Sequence, residues 1–243
     1  MTTQPVARKL KEWNFTAVDA RQVTPRMMRV TLHCPDLEGF SYAPGQALRI
    51  AVRSGPDCAH DRDYTIRDID RPRQQIIIDV LLHGDTPGPQ WARNLRSGDP
   101  VLARGPRSPI RLWEGRVWYL LAGDETALPA ILHMLESLPQ GAQAQAFIEI
   151  SSPEDRMNIA LPEGAAICWI IRDDAQTTPS PFVQQVLGWE RPSGQGQACV
   201  IGETGTVQAI RRGLIADGMA KSDIAAEGYW RVGRCGGTIE RLE

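Results

Sequence analysis

The chain has 243 residues, of which 42% are hydrophobic and 23% charged, and its formal net charge is −2. This composition is typical of a globular protein with a core of useful size, and the lack of a basic tail or a Lys/Arg run argues against nucleic-acid binding. No apolar run approaches the roughly 18 residues that a membrane span needs.

The first half of the chain predicts short strands separated by turns. The predicted strands are residues 15–23, 27–33, 46–53, 64–69, 75–82 and 100–103, with a short helix at 91–95. Short strands at this spacing, with Gly- and Pro-rich turns between them, are typical of a small antiparallel barrel. We place this barrel at about residues 14–113.

After Gly115 the pattern changes to strands that alternate with helices. The predicted strands are residues 116–122, 144–151, 165–171 and 198–202, and the predicted helices are 128–138 and 207–217. Such alternation favours a parallel, doubly wound sheet, whose ligands bind beyond the carboxyl ends of the strands. We therefore expect a barrel domain at residues 1–114 and an α/β domain with a C-terminal tail at residues 115–243.

The stretch Arg62-Asp63-Tyr64-Thr65-Ile66-Arg67 has a composition suited to a planar, phosphorylated cofactor. Alternate residues of a strand face the same side, so Thr65 and Arg67 share the face opposite Tyr64 unless a bulge intervenes. The aromatic ring, the hydroxyl and the guanidinium groups indicate a flavin site. The alternative is an exposed, solvated edge strand.

Residues 83–92 form a second candidate site, since two glycines and two prolines shape a loop that runs into a helix. Backbone amides and a helix N-terminus favour an anion, so a cofactor pyrophosphate would fit here. An ordinary strand-to-helix connection is the alternative.

The carboxyl edge of the predicted sheet supplies further candidates. Gly123 allows a ligand to approach closely, although residues 123–126 also suit a plain helix cap. Ser152 and Arg156, with Arg172 from the next strand, would suit the 2′-phosphate of NADPH, or form a solvated turn.

Gly202-Glu203 suits a nicotinamide pocket or a surface turn. The tail at residues 228–234 combines aromatic and cationic side chains, and it could cover a flavin, bind an anionic substrate or act as a hydrophobic anchor.

The five cysteines are scattered and form no CxxC pair. This argues against a disulfide framework, a zinc site and a four-cysteine iron–sulfur cluster, and the four histidines have no spacing that suggests a metal site. Residues 1–12 lack the apolar stretch of a secretory signal. We therefore expect a protein of the reducing cytoplasm, with no bound metal.

Together these segments resemble the siderophore-interacting protein family of flavin-dependent ferric-siderophore reductases, over about residues 23–234. The resemblance is carried by the RxYTxR flavin motif at 62–67, the H-G-x-x-G-P-x-x-W-A segment at 83–92, the AGDETALPAI signature at 122–131, the GE motif at 202–203 and the GYWRxG motif at 228–233. Thr86-Pro87 and Gln90 depart from the family pattern in loop detail. Each motif alone is modest, but five in the right order are specific.

The resemblance implies a ferredoxin-reductase-like architecture, in which an N-terminal antiparallel β-barrel binds FAD and a parallel-sheet α/β domain binds the nicotinamide nucleotide. Electrons from NADPH or NADH would pass through FAD to Fe(III) in a ferric siderophore, with no obligatory catalytic acid or base. Tyr64 is expected to pack on the isoalloxazine, and residues 83–91 to receive the pyrophosphate or adenine half. The residues expected to bind FAD or the nucleotide are Arg62, Tyr64, Thr65, Arg67, His83, Gly84, Thr86, Gly88, Trp91, Ala92, Gly123, Asp124, Glu125, Thr126, Ser152, Arg156, Gly202, Glu203 and Trp230.

Ferric siderophores are often anionic, so an arginine-lined mouth would raise their local concentration. The candidate substrate residues are Arg53, Arg104, Arg107, Arg111, Arg231 and Arg234. We expect a monomer. Two alternatives stay open: a flavin-dependent reductase with another acceptor, such as ferredoxin or a free flavin, and a non-catalytic siderophore-binding protein.

Overall fold

A computed structural model describes residues 10–53, 59–108, 110–172, 180–233 and 240–241. Six antiparallel strands close into a barrel in the order β1-β2-β5-β4-β3-β6. The strands are β1 (Glu12–Thr24), β2 (Met27–His33), β3 (Ala47–Arg53), β4 (Ala59–Asp70), β5 (Gln75–Leu81) and β6 (Pro100–Arg107). A helix, α1 (Pro87–Asn94), lies between β5 and β6. The predicted barrel is confirmed, although β4 begins at Ala59 rather than at Tyr64.

Alternating apolar residues explain why these segments form strands and which face they bury. In β1, Trp13, Phe15 and Ala17 are buried while the residues between them are exposed, and Leu48 and Ile50 of β3 are fully buried. A period of two places such residues on one face of a strand. Each large side chain buried here contributes roughly 1.5–3 kcal/mol.

The second half of the chain forms one sheet in the order β12-β11-β10-β7-β8-β9. Its strands are β7 (Trp118–Gly123), β8 (Gln143–Ile150), β9 (Ala165–Ile171), β10 (Gly196–Glu203), β11 (Ile224–Trp230) and β12 (Glu240–Arg241). Its helices are α2 (Leu128–Glu136), α3 (Pro181–Leu187) and α4 (Thr204–Ala216). Strands β7 to β11 are parallel, whereas β12 is antiparallel to β11. The predicted parallel sheet is therefore confirmed, with β7 buried along its whole length at its centre.

Helix α3 and strands β11 and β12 of this domain were not predicted. Helix α3 begins after Ser180, whose side chain caps it by accepting from the Val183 amide. Residues 228–230, interpreted as part of a tail, are the end of strand β11, which pairs in parallel with β10. The periodicity of seven-residue segments is too short to distinguish a buried strand from an anchored tail.

Helix α2 lies between the barrel and the sheet, and it is buried all round. Eight of its nine residues are buried, among them His133. The sequence predicts only a stripe of apolar residues on this helix, but a helix packed on both sides has no face left for solvent. Ser108 of the barrel also bonds Glu227 of β11 at 2.7 Å. No helix in the described ranges is long and apolar enough to span a membrane.

Candidate functional site

The predicted flavin strand contains a β-bulge that changes which way its side chains face. Ile66 pairs with Ile78 and Asp68 pairs with Ile77, so Arg67 is an extra residue on the β4 side. A bulge redirects the side chains that follow it. Strict alternation therefore fails at Arg67, which is buried like the two residues before it.

Tyr64 lies on the face of β4 opposite to Thr65. Its ring stacks on Trp91 of α1. Their ring centroids are 5.9 Å apart and the planes differ by 19°. Burial raises the pKa of Tyr64, so the phenol stays neutral. The structure thus brings the flavin strand and residues 83–92 together, as a single FAD site requires.

The first turn of α1 approaches Tyr64 closely. A Cβ placed on Gly88 would lie 2.3 Å from the Tyr64 hydroxyl oxygen, so any larger residue at this position would force Tyr64 to move. The side chain of Thr86, at the N-cap, makes no capping hydrogen bond. Since Pro87 and Pro89 lack an N–H group, Gly88 has the one free amide in this turn, and helix geometry leaves that amide without a helical partner.

Around this core the remaining loop residues take different places. Ala92 is buried beside Trp91, while Gly84 lies exposed in the loop before the helix. Loss of hydration and then the nearby positive charge of Arg62 lower the pKa of His83. The guanidinium of Arg62 itself donates to the Asp61 carbonyl at 2.9 Å.

Thr65, next to Tyr64, faces the end of the sheet. The buried hydroxyl of Tyr229 interacts with the Thr65 side chain, yet it makes no hydrogen bond of normal geometry with the described residues. Burial raises the pKa of Tyr229. The flavin strand therefore lies next to the end of β11.

At the carboxyl edge of the sheet, Asp124 gathers donors from three segments. Its carboxylate accepts from the Trp230 indole at 2.8 Å, the Glu203 amide at 2.9 Å and the Thr126 amide at 2.8 Å. A Cβ on Gly202 would lie 2.6 Å from an Asp124 carboxylate oxygen. Burial raises the pKa of Asp124, and the hydrogen bonds from Thr126 and Trp230 offset only part of that rise.

Gly123, just before this turn, is needed for close packing as well. A Cβ there would lie 2.6 Å from the Ile201 carbonyl oxygen. The structure therefore brings Gly123, Asp124, Thr126, Gly202, Glu203 and Trp230 together, although they come from three separate parts of the sequence.

Three of these residues, Asp124, Glu203 and Trp230, border a cavity of about 230 Å³, which we call the sheet-edge cavity. Its polar rim contains Asp124, Glu149, Arg172, Glu203 and Trp230, and its floor is apolar. It lies beyond the carboxyl ends of parallel strands, where a dinucleotide is expected to bind.

Glu125 does not line this cavity, although the sequence placed it at the nicotinamide site. It accepts from Arg26 of the barrel, from Arg172 at 2.6 Å and from Ser151 at 2.6 Å. Burial raises the pKa of Glu125, but the bonds from Arg172 and Ser151 outweigh that effect and bring it to about 2. Glu125 therefore joins the barrel to the sheet.

The three residues predicted to bind a 2′-phosphate are not brought together. Ser152 bonds the neighbouring Glu154, and Arg172 is paired with both Glu125 and Glu149. Arg156 lines a different cavity, of about 660 Å³, between the barrel and the sheet. The sequence predicted a cluster at the ends of two neighbouring strands, but each of the three side chains has different partners or surroundings.

The predicted substrate arginines differ in their surroundings. Arg104 pairs with Glu12 and Asp61, while Arg107 and Arg49 both bind the nearly buried carboxylate of Asp63. Arg111 is exposed and Arg231 is half-buried. The side chain of Arg53 and all of Arg234 lie outside the described residues.

Sequence reasoning missed the residues that join the two layers. Arg67, predicted to bind the flavin or a phosphate, forms a bidentate pair with Glu136 of α2 at 2.5 and 2.9 Å. His133 of α2 donates from Nδ1 to the Ile66 carbonyl at 2.7 Å. The available signal was a histidine inside the apolar pattern of a helix, since such a residue needs a buried partner.

Comparison with known proteins gives a consistent result. The family model described as siderophore-interacting FAD-binding domain matches residues 54–110, and the one described as siderophore-interacting protein matches residues 116–233. The ferric vibriobactin reductase ViuB of Vibrio cholerae serotype O1 is 32% identical over 242 residues, which cover 89% of this chain and 88% of that protein.

Solved structures agree. A siderophore utilization protein from T. fusca is 29% identical with a TM-score of 0.82, and the match covers 95% of this chain and 96% of that one. The siderophore-interacting protein SipS from Aeromonas hydrophila is 26% identical with a TM-score of 0.77, covering 91% and 99%. A ferredoxin NADP+ reductase from Neisseria gonorrhoeae, at 14% identity and a TM-score of 0.70 over 90% and 99% of the two chains, shares the fold. The ferredoxin-reductase-like architecture is confirmed.

Proposed function

The chain belongs to the siderophore-interacting protein family, and we propose that it reduces ferric siderophores with electrons that pass from NADH or NADPH through FAD. One observation carries the proposal. Thr65 of the flavin strand lies beside Tyr229 of β11, and the next residue, Trp230, borders the sheet-edge cavity. A flavin on Tyr64 and a nicotinamide in that cavity would therefore be neighbours.

The residues around Tyr64 fit FAD. The stacked pair of Tyr64 and Trp91 offers an aromatic surface, and Gly88 presents a helix-start amide without a side chain. Helix N-termini bind phosphate groups well. The orphaned hydroxyl of Tyr229 supplies a hydrogen-bonding group that a flavin heteroatom would satisfy.

FAD, when bound, converts the two-electron chemistry of the nicotinamide into single-electron transfer. The role of the chain's own residues is to orient and enclose the FAD and the nucleotide. Thr65 lies beside Tyr229 of β11, and Asp124 fixes the indole of Trp230 at the rim of the cavity. We assign the FAD to residues 1–114 and the nucleotide to residues 115–243.

Reduction of the substrate Fe(III) explains how iron is released from the siderophore. Siderophore oxygen ligands are hard and hold Fe(III) tightly, and one electron lowers the charge that they bind. No side chain has to transfer a proton in that step. We assign recognition of the anionic chelate to exposed arginine charge, with Arg111 as the first residue to test, because it is exposed and has no ion pair among the described residues.

An anaerobic titration tests the function. We expect NADH or NADPH to bleach the bound flavin, and a ferric siderophore to restore its colour with the release of Fe(II). A flavin that ferredoxin or free flavin reoxidises, but ferric siderophores do not, would assign another acceptor. Protein that stays colourless after FAD is added would indicate a binding protein.

A variant tests the assignment of the substrate site. Arg111→Ala is expected to raise the KM for an anionic ferric siderophore about three- to tenfold, because one exposed positive charge is lost, while reduction of a neutral dye persists. Equal loss of both activities would rule out this role for Arg111.

A further inference from the structure

Helix α2 contacts the bulge of the flavin strand at two consecutive strand residues, Ile66 and Arg67. His133 donates from Nδ1 to the carbonyl of Ile66 at 2.7 Å. Three positions later on the helix, Glu136 binds the guanidinium of Arg67 at 2.5 and 2.9 Å. Residues three apart on a helix lie on the same face, so one face of α2 makes both hydrogen-bonding contacts with the bulge of β4.

The geometry fixes the form of the imidazole. A carbonyl only accepts, so Nδ1 of His133 must hold a proton. Burial then favours the neutral ring and lowers the pKa of His133, which leaves Nε2 free to accept from the Tyr42 hydroxyl at 3.3 Å. His133, on the helix between the barrel and the sheet, therefore connects two barrel segments, one at Ile66 and one at Tyr42.

The bulge explains why Ile66 needs this partner. Its amide is satisfied by the Gln46 carbonyl, but the extra residue Arg67 interrupts the ladder with β5 on its other side. A buried carbonyl without a partner costs about 1–3 kcal/mol. His133 supplies the donor that the interrupted ladder does not.

The other end of α2 follows closely after Asp124, which lines the sheet-edge cavity. The helix starts at Leu128, directly after the turn in which Asp124 binds Trp230. At 1.5 Å per residue, nine helical residues span about 13 Å. Because eight of them are buried, the helix is packed on all sides and acts as a stiff connection between the two places.

We propose that His133, together with Glu136, is a positioning residue that sets the distance and angle between the flavin strand and the nucleotide cavity. The inference rests on the proposed function and deepens it. Neither residue lines the sheet-edge cavity, and both act through the flavin strand, at the backbone of Ile66 and the side chain of Arg67. Hydride transfer depends steeply on such geometry, since a 1 Å displacement costs on the order of 100-fold in rate.

Substitution of the histidine separates positioning from simple stability. In the FAD-loaded protein, His133→Leu is expected to lower the rate of flavin reduction at saturating nucleotide at least about tenfold. The dissociation constant for FAD should stay within about threefold, because Tyr64 and Gly88 are untouched. Reoxidation of chemically reduced flavin by a ferric siderophore should keep the wild-type rate.

A conservative variant and a matched control complete the set. His133→Asn keeps a donor near the Nδ1 position and should recover most of the reduction rate. His33→Leu makes the same replacement at a half-buried histidine of β2, away from the bulge, and should leave the rate unchanged. If His133→Leu does not fold, Glu136→Gln tests the same grip at a residue whose side chain is 34% exposed, with an expected loss of about threefold or more.

A second readout needs no cofactor. Nitrogen-15 NMR of the apoprotein should show His133 as the Nδ1–H tautomer, with a bond to a carbonyl.

The inference is overturned if the Nε2–H form is found, if the Asn variant is as slow as the Leu variant, or if reduction, reoxidation and FAD affinity fall in parallel. Failure of the wild-type flavin to bleach with either nucleotide would instead count against the proposed function.

Discussion

The indole nitrogen of Trp230 donates a 2.8 Å hydrogen bond to Asp124, a residue 106 positions earlier in the chain. This bond ties the end of β11 to the turn after β7. It also places an aromatic ring and a carboxylate at one rim of the sheet-edge cavity. The contact therefore links the shape of the nucleotide site to the closure of the sheet.

Replacement of Asp124 by asparagine should weaken both stability and nucleotide binding. The carboxylate accepts from Trp230, Glu203 and Thr126, whereas an amide nitrogen would face some of these donors. We expect a loss of about 2–4 kcal/mol in the free energy of unfolding and a higher KM for the nucleotide. Urea unfolding and steady-state kinetics measure the two effects.

Trp230→Phe is the matched control for this prediction, because it removes one donor and keeps an aromatic ring. Its loss of stability should be smaller than that of Asp124→Asn. An Asp124→Asn protein as stable as the wild type would contradict the role given to the carboxylate.

The methyl group of Gly88→Ala should displace Tyr64 and loosen FAD. A Cβ at position 88 would lie 2.3 Å from the Tyr64 hydroxyl, and overpacking of this kind costs roughly 1–3 kcal/mol. We expect the dissociation constant for FAD to rise about tenfold, as measured by quenching of flavin fluorescence. Gln90→Ala, on the exposed side of the same helix, adds no bulk and should bind FAD normally. Equal FAD affinities in the two variants would show that the contact between Gly88 and Tyr64 does not control FAD binding.

Glu125 should make the stability of the protein sensitive to acid. Its pKa is about 2 in the folded protein against an ordinary value of 4.5, so its contribution is fully present above about pH 4.5 and is lost as the pH falls towards 2. A shift of this size corresponds to roughly 3 kcal/mol. The difference in unfolding free energy between wild type and Glu125→Gln should shrink over that window in urea titrations.

Glu163→Gln, at an exposed glutamate, is the control for the acid titration and should follow the wild-type curve. A wild-type curve and a Glu125→Gln curve that stay parallel from about pH 5 to pH 2 would show that Glu125 gains nothing from its partners.

The ion pairs of Arg172 predict a preference for NADH. Arg172 is neutralised by Glu125 and Glu149, and Asp124 and Glu203 add negative charge around the cavity. A 2′-phosphate would meet net repulsion there, so we expect kcat/KM for NADH to exceed that for NADPH about tenfold at low salt. Glu149→Gln should narrow this ratio, because Arg172 would then be balanced by Glu125 alone; a wild-type preference for NADPH would refute the prediction.

The sequence by itself determined the two-layer architecture, because apolar periodicity reports which face of each segment is buried. Alternation in β1 and β3 predicted the barrel, and the apolar runs of β7 and β8 predicted the parallel sheet. The glycine at 123 was predicted to let a ligand approach closely, and in the structure the Ile201 carbonyl of the neighbouring strand lies close to it.

Only the tertiary structure decided how the charged side chains are paired. Arg67 turns to Glu136 because a bulge shifts it, and Glu125 leaves the nucleotide side because Arg26 approaches from the barrel. The sequence placed both at ligand sites. Ion pairs and bulges depend on which distant segments are packed together, and the local pattern of a strand or helix contains no information about that partner.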